Sequence, residues 1–236
     1  MEVRRQRFHA RANAGEFEAL KRIQHTAQTR YLPNGIYGIT SEQFGQTHVE
    51  SAEIFLRAGI RILQYRDKSL SGETKPAEEL IDSALEVKAL CRKYGATFIV
   101  DDRVDVAAAV GADGVHLGQS DMPIGYARKQ FNGIIGITAE NAAQARSAER
   151  RGADYIGASA VFRSSTKPDV AAMGPEGLRK IINSVSLPVY GIGGITQQNL
   201  QMVKKAGAAG AAVISAVLAA EHPVDQAKRL VALWSA

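Results

Sequence analysis

The sequence predicts an α/β fold, a (β/α)8 TIM barrel with an extra N-terminal helix, on three observations. From residue 36 onward, eight short apolar, β-branched runs alternate with longer segments of helical periodicity. The runs start between 17 and 36 residues apart, room for a helical crossover and too far for a tight hairpin, so the strands are parallel. No Gly-x-Gly-x-x-Gly follows the first run and no Pro/Gly/Ser-rich linker divides the chain, which favours one closed barrel over an open doubly wound sheet.

The elements follow in order. Residues 1–34 are expected to form a basic arm with a helix over 15–30 that covers the N-terminal face of the barrel, and residues 35–236 the barrel domain. Strands are expected at 36–40, 61–66, 97–102, 114–118, 134–138, 155–162, 187–193 and 211–216. Helices are expected at 48–58, 76–94, 104–110, 124–131, 141–151, 175–184, 197–206 and 224–235. In the second helix Leu80, Ala84, Val87 and Cys91 fall three or four apart, an apolar stripe that makes Cys91 a core residue and not a nucleophile. Gly59, Gly95, Gly111, Gly152 and Gly207 each stand just past a helix, where a left-handed residue stops it and turns the chain into the next strand.

Composition narrows the class. With 236 residues, 45% hydrophobic and 22% charged, the chain is globular, which excludes disorder, collagen-like repeats and a coiled coil. No apolar run is long enough for a membrane span or an export signal, so a cytoplasmic location and no membrane partner are expected. One cysteine closes no intrachain disulfide, and five scattered histidines form no zinc cluster. The net charge is 29 − 24 = +5, and residues 1–30 carry seven bases against three acids, so the excess sits in the arm. Without interleaved aromatics that arm reads as solvated, with no nucleic-acid partner. A homo-oligomer is compatible with the sequence.

In a parallel barrel the reactive groups gather at the C-terminal strand ends. Alternation along the second strand puts Gln64, Arg66 and Lys68 on one face and Tyr65 and Asp67 on the other. Two cations converging at a strand end call for an anionic ligand, or else for acids such as Asp102 to neutralise them in a salt-bridged rim. Asp102 ends the third strand and Asp121 follows the fourth, close enough to share a cation. Mg2+, held by one or two carboxylates and substrate phosphates, suits them, and with Arg66, Lys68 and Lys167 nearby it points to a metal-bound diphosphate. Both aspartates could instead cap the helices that follow. Gly191-Ile192-Gly193-Gly194 and Ser215, at the seventh and eighth strand ends, suit a monophosphate. His116, two residues before the strand-end Gly118, reads as a hydrogen-bonded core histidine.

These motifs closely resemble the thiamine-phosphate synthase family over roughly residues 36–220. The resemblance is carried by Gln64-Tyr65-Arg66-Asp67-Lys68, Asp102, the run from Ala112 to Asp121, Gly152-Ala153-Asp154-Tyr155-Ile156-Gly157, Ser164-Ser165-Thr166-Lys167, and Gly191 to Thr196. It implies an enzyme that joins a hydroxymethylpyrimidine diphosphate to a thiazole phosphate and releases diphosphate by a dissociative route. It also implies that Gln64, Arg66 and Lys68 hold the pyrimidine diphosphate, Asp102 and Asp121 ligate Mg2+, and Lys167 meets the leaving diphosphate. Ser164, Thr166, Gly194 and Ser215 would receive the thiazole phosphate. Two positions depart from the family pattern. Asp101-Asp102 stands where Asn-Asp is common, adding a charge beside the pyrimidine or metal, and Thr138 and Glu140 stand where a serine and a histidine are common. Thr138 keeps a hydroxyl for the substrates. Glu140 argues against the related thiazole tautomerases, which remain the alternative enzyme beside a non-catalytic phosphate-metabolite binder.

Overall fold

The structure is a computed structural model and describes residues 32–68, 75–163 and 171–236. As far as the eighth strand, after which two helices follow, its strands and helices alternate. They run β1 (Gly35–Ile39), α1 (His48–Arg57), β2 (Ile62–Tyr65), α2 (Ala77–Tyr94), β3 (Thr97–Asp101), α3 (Val104–Val110), β4 (Gly114–Leu117), α4 (Ile124–Gln130) and β5 (Ile134–Ala139). The second half continues with α5 (Ala142–Arg150), β6 (Tyr155–Ser159), α6 (Gly174–Ile182), β7 (Val189–Ile192), α7 (Leu200–Lys205), β8 (Gly210–Val213), α8 (Ser215–Leu218) and α9 (Pro223–Ser235). Every strand pairs in parallel with its sequence neighbours, and β1 pairs with β8 from Gly35↔Gly210 to Gly38↔Val213, closing the barrel. Closure leaves no exposed strand edge. Among the described residues no helix is long and apolar enough to cross a membrane. The expected helix over 15–30 and the rest of the arm lie outside the described residues.

Alternation along each strand sorts side chains into two cores. Leu63, Tyr65, Phe98, Val100, Val115, Leu117, Ile135 and Ile156 face outward and pack against the helices. The α2 stripe Leu80, Ala84, Val87 and Cys91 is buried in the same layer, and burial pushes the Cys91 thiol up to about 12, which leaves it unreactive at neutral pH. Facing inward are Tyr37, Ile39, Ile62, Ile99, Ile134, Tyr155 and Tyr190, with Leu32 among them. Tyr190 stands edge-on to both other tyrosines, at ring separations of 5.8 Å from Tyr37 and 5.6 Å from Tyr155, and its hydroxyl donates to the carbonyls of Leu32 and Pro33. Three aromatic rings fit inside because the inward positions beside them are glycines. A Cβ on Gly136 would overlap the Tyr155 ring, and one on Gly210 would meet Tyr190.

At the opposite end of the strands, repeated Gly-Ala-Asp turns lock the register. Gly111 and Gly152 stop α3 and α5 at φ 63° and 90°, as expected of glycines past a helix. Asp113 then accepts the Phe98 N–H at 2.8 Å, and Asp154 accepts that of Ile135 at 2.7 Å. Each carboxylate thus satisfies the first N–H groups of a neighbouring strand. Arg128 reaches Asp154 and the Gly133 and Gly152 carbonyls, tying α4 to this floor. At the start of α1, Thr47 and Glu50 form a reciprocal capping box.

Three expected boundaries are corrected. The sixth strand ends at Ser159 and not at residue 162; beyond it the chain leaves the sheet, and Val161 and Phe162 donate to the carbonyls of Ile192, the last residue of β7, and of Gly193 just past it. The eighth strand ends at Val213, because Ser215 already begins α8. The seventh helix starts at Leu200 and not at 197, since the Asn199 side chain accepts from Thr196 N–H and donates to the Gly194 carbonyl, folding residues 194–199 into a turn.

Because the buried Tyr155 ring is held by hydrogen bonds and edge-on packing, Gly136→Ala is expected to destabilise the fold by about 3 kcal/mol. Gly125→Ala, whose Cβ meets nothing within 4 Å on helix α4, should be neutral or stabilising by up to about 1 kcal/mol. Denaturant unfolding of both variants checks this, and equal effects would contradict the packing argument.

Candidate active site

The inward-facing residues at the C-terminal strand ends enclose a cavity of about 370 Å³. Its floor is a chain of hydrogen bonds that crosses the barrel interior. Gln64 Nε2 donates to Tyr37 Oη at 3.0 Å, the Tyr37 and Tyr155 hydroxyls lie 3.0 Å apart, Tyr155 Oη meets His116 Nδ1 at 2.9 Å, and His116 Nε2 meets Thr138 Oγ1 at 2.9 Å. Five strands contribute one side chain each. Burial raises the pKa of both tyrosines well above the ordinary phenol value, so the chain is built from neutral hydroxyls that donate and accept in sequence. His116 is therefore a hydrogen-bonded interior histidine, as expected, and it also fixes the Thr138 hydroxyl at the cavity wall.

Above this floor stand the charged groups. Gln64, Arg66 and Lys68 line the cavity, while Tyr65 packs outward and Asp67 bonds to Lys75, the separation that strand alternation requires. Arg66 Nε lies 3.2 Å from Asp101 Oδ2, and Lys68 pairs with Asp102. The salt-bridged rim foreseen as an alternative is thus present, and it is the same set of groups that an anion would address.

Neither aspartate caps a helix. Arg103 and Pro123 occupy the N-cap positions of α3 and α4 without a side-chain cap. Asp102 adopts the left-handed conformation at φ 57°, and its N–H donates to the His116 carbonyl at 2.8 Å. Aspartate tolerates that region better than most residues, and such positions concentrate where the chain must aim a side chain. Asp121 accepts the Gly118 N–H at 2.6 Å, which folds the loop after β4 inward. The two carboxyl groups are close enough to shift each other's ionisation. Burial pushes Asp102 up, but hydrogen bonds from Lys68 and Asp121 and the Lys68 charge outweigh it and hold the group below the usual range. Burial and the Asp102 carboxylate raise Asp121, the Gly118 N–H and Lys68 opposing. The opposite shifts make Asp121 the more readily protonated of the two carboxyls, beside an ionised Asp102.

Across the cavity, Gly193 and Gly194 adopt φ 97° and 61°. A Cβ on Gly194 would run into the carbonyl of Arg163, so only glycine lets the two loops approach. Ser215 lines the wall beside them at the start of α8. All nine described members of the expected site line this one cavity: Gln64, Arg66, Lys68, Asp101, Asp102, Asp121, Thr138, Gly194 and Ser215. Ser164, Thr166 and Lys167 lie outside the described residues. Sequence reading missed Ser159 and the apolar wall of Ile39, Ile192, Ala212 and Ile214. Ser159 was legible in principle as an inward residue of β6 that shares a face with Tyr155 and Gly157; placing the strand end three residues late hid it.

Comparison with known proteins agrees with this geometry. The family model described as thiamine monophosphate synthase matches residues 36–217. The chain is 47% identical over 205 residues to the thiamine-phosphate synthase of Caldivirga maquilingensis, covering 86% of this chain and 98% of that protein. It is 49% identical over 199 residues to the one from Archaeoglobus fulgidus, covering 84% and 92%. The solved thiamine phosphate pyrophosphorylase from Pyrococcus furiosus superposes with a TM-score of 0.79 at 42% identity, over 85% of this chain and 95% of that one. A closed eight-stranded barrel, its cations and carboxylates gathered at one mouth, and these matches over most of its length lead to one conclusion: the chain belongs to the thiamine monophosphate synthase family.

Proposed function

We propose that this barrel transfers the methylpyrimidine group of 4-amino-2-methyl-5-hydroxymethylpyrimidine diphosphate to a thiazole phosphate, giving thiamine phosphate and diphosphate. The observation that carries this reading is the pairing of Arg66 and Lys68 with Asp101 and Asp102, beside Asp121, at one side of a cavity whose other side is the Gly193-Gly194 turn and Ser215. Such a cavity has separate places for a diphosphate and a monophosphate.

The reaction breaks the bond between the pyrimidine methylene carbon and the diphosphate oxygen, and the electron pair leaves with diphosphate. The electron-rich aminopyrimidine stabilises the methylene cation, and the thiazole nitrogen lone pair closes the new carbon–nitrogen bond. No enzyme nucleophile is required. The chain's contribution is position and charge: Arg66 and Lys68 exchange their carboxylate partners for phosphate oxygens and meet the charge that grows on the leaving group. Lys167 acts on the same diphosphate. Gln64, held by Tyr37, and Thr138, held by His116, present an amide and a hydroxyl at fixed positions to the pyrimidine. Gly194 and Ser215, with Ser164 and Thr166, receive the thiazole phosphate.

The hard oxygen donors of Asp102 and Asp121, side by side on the cavity wall, fit Mg2+, which would add a divalent charge beside the diphosphate. The substrates are small molecules and the location is cytoplasmic.

Three outcomes test this reading. Purified protein given both substrates and Mg2+ should form thiamine phosphate, and a folded protein that forms none, with or without Mg2+, would overturn the assignment. Lys167→Ala and Asp121→Ala should each lower the coupling rate by at least about 100-fold with unfolding curves unchanged, as loss of charge stabilisation in the transition state requires; near-normal rates would remove their roles. Because Asp121 holds its proton to higher pH than an ordinary aspartate, Mg2+ must displace that proton, and affinity is lost as pH falls through the raised Asp121 range. Calorimetric titration should show Mg2+ binding weakening by up to about tenfold per pH unit there, and more weakly in Asp121→Asn at every pH.

A further inference from the structure

A second cluster of metal-ligating side chains stands outside the cavity. Glu42 lies in the loop after β1, His48 opens α1, and Asp67 follows β2 on the side of the chain opposite Arg66 and Lys68. One ligand atom from each lies within 4.8 Å of the others. His48 Nε2 is 3.3 Å from Asp67 Oδ2 and 3.9 Å from Glu42 Oε2. A tetrahedral ion with bonds of about 2.0–2.1 Å separates its ligand atoms by about 3.3 Å. The His48–Asp67 edge already has that length, and Glu42, whose side chain is 40% exposed, is free to close on the other two.

The site is built, not incidental. His48 is 3% exposed and Asp67 5% exposed. The buried His48 Nε2 makes no hydrogen bond, although it faces two carboxylates, and an orphaned buried nitrogen calls for a partner. The other ring nitrogen is occupied: Nδ1 lies 2.8 Å from Thr40 Oγ1, and the ring sits edge-on to Tyr65 at 4.8 Å. With the proton on Nδ1 and Thr40 as acceptor, the Nε2 lone pair points at Glu42 and Asp67, the arrangement in which histidines bind metal. Tyr65 Oη donates to Asp67 Oδ2 at 3.1 Å and orients that carboxylate. A cation already occupies the cluster, since Lys75 Nζ bridges Glu42 at 2.9 Å and Asp67 at 2.8 Å. One ammonium leaves the two carboxylates with a net negative charge, whereas a divalent ion neutralises both.

We propose that Glu42, His48 and Asp67 bind a divalent first-row transition ion of the Zn2+ type, with the fourth position open to water, and that Lys75 is the internal cation this ion displaces. The imidazole ligand and tetrahedral spacing favour such an ion over Mg2+, which takes octahedral oxygen sites. The bound ion would clip the β1–α1 loop, the first turn of α1 and the segment after β2 to one another. That segment begins at Arg66, whose backbone N–H donates to Thr40 Oγ1 at 3.2 Å.

The test uses the full chain, stripped by a chelator and titrated with Co2+ in excess Mg2+, so that the Asp102–Asp121 pair is occupied. Visible absorption of tetrahedral Co2+ should appear at one ion per chain, be displaced by Zn2+, persist in Asp121→Asn and vanish in His48→Gln. Lys75→Ala, which removes the competing ammonium, should tighten Co2+ binding by about tenfold. Should His48→Gln not fold by circular dichroism, Glu42→Gln, at an exposed carboxylate, takes its place and should weaken binding by at least about tenfold. Absorption unchanged in the folded His48 or Glu42 variant overturns the site. Absence of binding to the wild type, with binding to Lys75→Ala alone, overturns the displacement and makes Lys75 a permanent counter-ion. None of these readouts depends on the coupling activity.

Discussion

The hydrogen-bond chain from Gln64 through Tyr37, Tyr155 and His116 to Thr138 is the constraint on which the rest of the site depends. A barrel interior is a low-dielectric space in which a lone hydroxyl or imidazole is costly, while a fully paired network is rigid. Each member here finds its partner on another strand, so the network holds only when all the registers are correct. It also dictates sequence at positions far from any substrate. The rings need Gly136 and Gly210 beside them, and Gly157 leaves room for the His116 ring. The cavity floor and the barrel's packing are one structure.

On that floor the electrostatics are arranged to be exchanged. Arg66 and Lys68 are neutralised by Asp101 and Asp102, and burial and the Asp102 carboxylate raise the pKa of Asp121. The cavity therefore carries its cations as charge pairs, which is how cations can be held near a barrel mouth. Under the proposed reading, a diphosphate with its metal would replace the same pairings with stronger ones, since it brings both an anion for the cations and a cation for the carboxylates. Asp101, where related sequences commonly have asparagine, takes part by holding Arg66 at 3.2 Å, so its extra charge is answered within the site.

Much of this was legible in one dimension because the relevant periodicities are short. Alternation along a strand depends on neighbouring residues, and it separated Gln64, Arg66 and Lys68 from Tyr65 and Asp67 correctly. Glycines past helices and the apolar stripe of α2 are equally local. The end of β6 was misplaced because Ala160-Val161-Phe162 is as apolar as a strand, and whether an apolar residue continues a sheet or leaves it depends on the neighbouring strand, which ends at Ile192. The role of the tyrosines went unread for a related reason: an aromatic residue in a strand reads as outer core until the glycines opposite it are known.

Sequence alone determined the eightfold βα plan, the end of the barrel at which chemistry gathers and nine described residues of the cavity, since each follows from local spacing and from the rule that parallel strands end on a common face. Tertiary structure decided what those residues are to one another. That Asp102 is a left-handed residue pairing with Lys68 and not a helix cap, that Asp121 turns inward on the Gly118 N–H, and that His48 faces Glu42 and Asp67 are matters of distance between groups on different elements. Such distances are set by closing β1 on β8, a contact between segments about 175 residues apart that no local pattern encodes.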